Sequence, residues 1–60
     1  VRTAKQMIQI DIEAEHKVIA NYAKRVAQAE SFGDKGLVIR LEDILAEETD
    51  HAESLERLSR

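Results

Sequence analysis

The sequence is divided at residues 31–36, SFGDKG, which separate two long segments with helical patterning. Gly33 suits the left-handed position that follows a helix, and Asp34 can cap the next helix through its side-chain oxygen. We therefore predict a helix from about residue 3 to 30, a loop from about 31 to 34 and a second helix from about 35 to 59. Because the loop is short, the helices should fold back antiparallel as a hairpin.

The composition narrows the class of protein. The chain of 60 residues has 35% charged residues, no Pro and no Cys, which favours an all-α protein without disulfides. A chain this short buries too little surface to be stable without a metal or a partner. Its net charge is -3 with interspersed signs, so nucleic acid is not an expected partner. No apolar run approaches the roughly 18 residues of a membrane span, and we expect a cytoplasmic protein.

Both predicted helices carry an apolar stripe with polar side chains at its centre. Glu15 falls at the centre of the first stripe, and Glu48 and His51 straddle the centre of the second. All three should therefore face inward. The first stripe contains Ala4, Ile8, Ile12, Ile19, Tyr22, Val26 and Ala29, and the second contains Leu37, Leu41, Ile44, Leu45, Ala52, Leu55 and Leu58.

The three inward polar side chains predict half of a dinuclear metal site. Glu48-x-x-His51 is the spacing by which helix bundles present one oxygen and one nitrogen ligand from adjacent turns. Counted from Gly33, Glu15 and Glu48 differ in depth by about one helical turn, so an antiparallel hairpin brings them to similar heights. Two helices cannot enclose a core, so the hairpin should pair with two more helices, and a second copy would complete the ligand set.

The ligand set indicates which metals are favoured. Two copies supply four carboxylates and two imidazoles, and two divalent cations would neutralise the four buried negative charges. Hard oxygen donors with one imidazole per ion favour iron or manganese, although zinc or cobalt could also occupy the site. We predict iron.

Each of these residues also has a simpler interpretation. Glu15 could pair with Lys or Arg at the bundle surface, and Glu48 and His51 could form an ordinary helical side-chain pair. Asp11 flanks the first stripe, where it could orient His51 through a hydrogen bond or form a boundary salt bridge; both stay open. Tyr22 is more typical of a core residue than of a site residue.

Two further features lie outside the predicted site. Glu13-x-x-His16 has the same spacing as Glu48-x-x-His51, but Glu13 points to the solvent side and His16 lies at the edge of the stripe, so we predict that the motif lies at the surface. Val38 and Ile39 fall outside the apolar stripe and could mark a further subunit contact, although single exposed apolar residues are common.

The sequence resembles the C-terminal half, the third and fourth helices, of a bacterioferritin or ferritin-like four-helix bundle. The resemblance runs from about Met7 to Leu58 and rests on Asp11-x-x-x-Glu15, on Gly33-Asp34 and on residues 44–51, ILAEETDH. It implies that Glu15 is a bridging or terminal carboxylate. By the same resemblance Glu48 is the bridging carboxylate, His51 is a terminal nitrogen ligand and Asp11 orients the histidine from outside the ligand set.

Two departures from the family limit what the resemblance implies. The first two helices are absent, and so is the second-helix methionine that binds haem in bacterioferritins, so no haem is predicted. A homodimer could regenerate the site, as in small two-helix ferritin-like proteins that include encapsulated ones. Alternatively, the N-terminal half of a longer chain supplies the other ligands.

The function implied by the resemblance is diiron chemistry. A ferritin-like diiron protein oxidises Fe(II) with dioxygen or peroxide, in ferroxidase activity, iron storage or detoxification. Two alternatives stay open: a non-catalytic helical dimerisation module, and a structural manganese or zinc bundle. The sequence does not choose between a cage, an encapsulated assembly and a simple dimer.

Overall fold

The chain forms two antiparallel α-helices. The computed structural model describes residues 1–60, with α1 at Ala4–Phe32 and α2 at Lys35–Leu58. The helices lie side by side in a rod of 47 × 17 × 13 Å. The prediction of an all-α hairpin is confirmed. Neither helix contains a segment both long and apolar enough to span a lipid bilayer.

A capping box starts α1. The Thr3 side chain accepts a hydrogen bond from the Gln6 backbone N–H at 3.1 Å, and the Gln6 side chain accepts one from the Thr3 N–H at 2.8 Å. Two backbone donors that have no partner inside the helix are thereby satisfied. The first helical residue is Ala4, one position after the predicted start.

The turn consists of Gly33 and Asp34, as their residue types predict. Gly33 adopts a φ of 75°, and its N–H donates to the Glu30 carbonyl at 3.0 Å. The Asp34 N–H donates to the Ala29 carbonyl at 3.1 Å, and its side chain accepts from the Leu37 N–H at 3.1 Å. These bonds keep the last turn of α1 closed, so the helix ends two residues later than predicted.

Gly33 in the turn and Gly36 in the first turn of α2 are expected to respond oppositely to substitution by alanine. Gly33→Ala places a Cβ in the left-handed region and should lower the free energy of unfolding by about 1 kcal/mol. Gly36 is helical, and the nearest atom to an added Cβ is the Asp34 Oδ1 at 3.9 Å. Gly36→Ala should therefore raise stability by about 0.5–1 kcal/mol. Urea unfolding followed by circular dichroism checks both, and equal stability of the two variants would contradict the assignment of the turn.

The enclosed core is small and lies mostly near the turn. Val26, Ala29 and Leu41 form its main cluster, with Tyr22 and Val38 packed against it. Val38 was predicted to lie outside the packed stripe. It contacts the cluster because it lies one turn before Leu41 on the side of α2 that α1 covers. The buried residues of the whole chain are Ile12, Val26, Ala29, Leu41 and Ala52.

One side of the hairpin leaves apolar side chains uncovered. We call it the open face; its α2 positions, Leu37, Ile44, Glu48, His51 and Leu55, repeat at helical spacing along one side. Leu37 is 42% exposed there, and Ile44 and Leu55 are only half-buried. Near the turn, Phe32 of α1 lies beside Leu37 and is 87% exposed. A single hairpin therefore leaves much of its apolar surface in water, which favours association.

Candidate metal centre

Glu15, Glu48 and His51 come together across the two helices. One ligand atom from each lies within 4.8 Å of the other two. The helices position them because Glu15 lies near the middle of α1 and the other two lie one turn apart on α2. No other group of three His, Cys, Asp or Glu side chains converges in this way anywhere in residues 1–60.

Glu15 is the least accessible of the three. Its side chain is 19% exposed, against 59% for that of His51. One carboxylate oxygen, Oε1, lies 3.4 Å from the His51 Nδ1, and the other, Oε2, is buried without a hydrogen-bond partner. A buried carboxylate oxygen without a donor is costly, and a bound cation would satisfy it. This oxygen, with the donor set around it, fits a divalent metal.

Glu48 is half-buried beside Glu15, and its pKa is raised. The main cause is the neighbouring Glu15 carboxylate, which would accept a hydrogen bond from protonated Glu48 and therefore favours that form. Partial burial and the negative charge of Glu15 raise the pKa further, while His51 opposes the shift. When both carboxylates are ionised, neither can donate to the other, so without a cation their close approach favours a proton on Glu48. A metal ion would replace that proton.

Asp11 and Tyr22 lie outside this cluster. Asp11 is exposed and makes no hydrogen bond to His51 within the chain, so its orienting role stays a prediction. Tyr22 is half-buried against the core cluster. It was not assigned to the site, and its packing accounts for its position.

His16 forms a cross-helix contact that the sequence analysis missed. Its Nε2 lies 3.0 Å from the Glu56 Oε1, and the two side chains are 57% and 42% exposed. The motif Glu13-x-x-His16 was predicted to lie at the surface, and the observed partner of His16 lies on α2. Only the register of the hairpin could have revealed it. An exposed pair of this kind contributes at most about 1 kcal/mol to stability.

Comparison with known proteins places the fold in a family. The family model for the ferritin-like domain matches residues 1–60. The chain belongs to the ferritin-like domain family. A search of curated proteins and a search of solved structures each found no match. The resemblance inferred from the sequence is thus confirmed at the level of the ferritin-like domain.

The candidate ligands of this ferritin-like chain are too few by themselves for a dinuclear centre. One hairpin presents two carboxylates and one imidazole, whereas a dinuclear carboxylate centre in a helix bundle uses about twice that number. The cluster belongs to the open face, where His51 is more than half exposed. Additional ligands can therefore approach from a second pair of helices.

Proposed function

We propose that this ferritin-like chain is a diiron-carboxylate protein that oxidises Fe(II) with dioxygen or peroxide. In this proposal two copies pair through their open faces into a four-helix bundle. Each copy supplies Glu15, Glu48 and His51 to a shared centre, as the third and fourth helices do in bacterioferritin-like proteins. The observation that carries the proposal is the convergence of these three ligand atoms within 4.8 Å.

The negative charge of the glutamates supports the binding of two divalent ions at the shared centre. Two copies of Glu15 and Glu48 bring four negative charges to one site, and neutral His51 adds none. Ionised carboxylates away from water cost several kcal/mol each unless they are compensated. Two ferrous ions compensate all four, and they also provide the partner that the buried Glu15 Oε2 lacks within the chain.

The side chains have distinct roles in this proposal. Glu15 and Glu48 hold the ions through carboxylate oxygens and can shift between one-oxygen and two-oxygen binding as charge changes. His51 supplies a neutral nitrogen. The apolar Ile44 and Leu55 limit access of water once a second hairpin covers the open face.

Fe(II) is the substrate. Each ferrous ion gives up one electron, so a pair of ions reduces dioxygen to hydrogen peroxide, or peroxide to water, with protons taken from solvent. Such a reaction suits cytoplasmic iron storage or detoxification. The other ligands would instead come from an N-terminal half if the natural chain is longer, and the chemistry would be the same.

Ferrous titration tests the proposal. Under anaerobic conditions we expect binding of two Fe(II) per pair of chains, followed in air by a ferric absorption band and uptake of dioxygen. Isothermal titration calorimetry and an oxygen electrode give the two stoichiometries. Absence of metal binding would leave only a helical dimerisation module.

A structural manganese or zinc bundle is the second candidate because the same carboxylate and imidazole donors accept those ions. Metal analysis of protein purified from its native host distinguishes the two. A full complement of zinc or manganese, together with no dioxygen uptake on addition of Fe(II), would favour the structural role and contradict iron oxidation.

A further inference from the structure

A second apolar surface lies near the turn, on the other side of α2 from the open face. It is an open depression of about 420 Å³, which we call the turn surface. Val38 and Ile39 form its apolar centre, and Ile39 is 62% exposed. The residues that line it are Glu30, Gly33, Lys35, Val38, Ile39 and Glu42.

The turn surface is separate from the surface proposed to form the bundle. The depression on the open face near the turn is lined by other residues, which include Phe32, Leu37 and Leu41. Val38 follows Leu37, and successive residues of a helix point about 100° apart. Pairing of two hairpins through their open faces would therefore leave Ile39 uncovered.

Three charged residues line the turn surface: Glu30 of α1, and Lys35 and Glu42, which are placed symmetrically along α2. Lys35 and Glu42 are two helical turns apart, about 10.5 Å along the axis, and both line the depression. Val38 and Ile39 occupy the midpoint between them. An antiparallel copy of this segment, centred on the same midpoint, would therefore present a Glu opposite each Lys and a Lys opposite each Glu.

We propose that the turn surface binds the turn surface of a second copy that belongs to a neighbouring bundle. The two α2 segments cross antiparallel about a twofold axis at Val38 and Ile39. Ile39 then packs against the same apolar centre of the other chain. Lys35 of each chain pairs with Glu42 of the partner subunit, which gives two reciprocal ion pairs around an apolar contact.

Self-association explains this pattern better than a different partner does. Along α2, a uniformly acidic or basic partner would meet one favourable and one unfavourable charge, at Lys35 and Glu42, whereas an antiparallel second copy meets two favourable ones. A bundle of two chains carries two turn surfaces, so bundles would join into a larger assembly. The contact needs no metal and is independent of the ligands.

Charge reversal tests the contact in the full chain loaded with iron. Sedimentation velocity of the parent should show species larger than two chains. Lys35→Glu and Glu42→Lys each place like charges opposite one another, and each should weaken association between bundles at least tenfold. The double variant, Lys35→Glu with Glu42→Lys, restores opposite charges and should restore the larger species.

One control and one further variant make the result specific. Lys24→Glu makes the same charge change at an exposed position of α1 that does not line the depression, and it should sediment like the parent. Ile39→Asp puts a charge into the apolar centre of the turn surface, so the larger species should be lost and only bundles of two chains should remain.

The test can fail independently of the iron proposal. A parent that sediments only as two chains, or a charge swap that fails to restore the larger species, would show that the turn surface does not self-associate. Iron content is measured on every sample. Larger species that contain no iron but respond to the charge reversals would overturn the proposed function and support the contact.

Discussion

Replacing Glu48 with glutamine is expected to abolish ferrous oxidation while leaving both helices intact. The substitution keeps the shape of the side chain but exchanges a charged oxygen donor for a neutral amide. In the paired bundle two of the four negative charges disappear, so two divalent cations can no longer be neutralised. Loss of groups that merely support metal ligands costs roughly 10–100-fold in affinity. We expect loss of a ligand to cost more than about 100-fold.

Glu56→Gln is the matched control for this prediction. It makes the same chemical change on the same helix, at a carboxylate that contacts His16 rather than the cluster. We expect the parent rate of dioxygen uptake and a loss of at most about 1 kcal/mol in stability, because the pair is exposed. Stopped-flow absorbance after mixing with Fe(II) and air compares the three proteins. The metal centre would be misassigned if Glu48→Gln oxidised iron at the parent rate.

Much of the hairpin was predictable because its determinants are local. The left-handed Gly33 and the capping Asp34 each act within a few residues, and both occur in the structure as predicted. The end of α1 was less predictable. Ser31 and Phe32 have no strong preference for a loop or a helix, and hydrogen bonds from the turn to α1 decide that they stay helical.

The convergence of Glu15, Glu48 and His51 could be anticipated for a related reason. The helical repeat places Glu48 and His51 on one side of α2, and the short turn fixes the height of Glu15 relative to them. The helical repeat does not determine which edge of each apolar stripe packs against the other helix. That choice buries part of Val38 and brings His16 to Glu56, and it depends on side-chain packing along the whole interface.

The role of Asp11 and the identity of the covering helices depend on contacts outside the chain. Asp11 has no partner within the hairpin, so a hydrogen bond to His51 would have to form in the assembled bundle. Hydrophobic patterning predicts that the open face is covered but carries no information on whether a second copy covers it.

Metal loading is expected to reverse the stability order of the parent and Glu48→Gln. Without metal, the raised pKa of Glu48 means that the folded hairpin binds this proton more tightly than the unfolded chain does. This stabilisation is fully present below the ordinary pKa of a glutamate and is lost as the pH rises through the raised value. Above that raised value the metal-free parent has lost this stabilisation, whereas the amide of Glu48→Gln stays neutral at every pH, so the variant should melt at a higher temperature there.

With metal, the order should invert. A ligand that binds only the folded state adds about 2.7 kcal/mol when it is present at a hundredfold excess over its Kd. Mn(II) is a suitable probe because it shares the preference of Fe(II) for oxygen donors and is not oxidised by air under mild conditions. The Tm of the parent should rise with Mn(II), and that of Glu48→Gln should not.

Differential scanning calorimetry at neutral pH, with chelator and with Mn(II), measures all four states. If Glu48 is a metal ligand that destabilises the metal-free protein, the order of the two Tm values should reverse between the conditions. The variant should have the higher Tm in chelator, and the parent should have the higher Tm in Mn(II). A higher Tm for the parent in both conditions would mean that Glu48 contributes to packing rather than to metal binding. The same scans at acidic pH should bring the two metal-free proteins together, because protonated Glu48 and glutamine are both neutral and nearly equal in size.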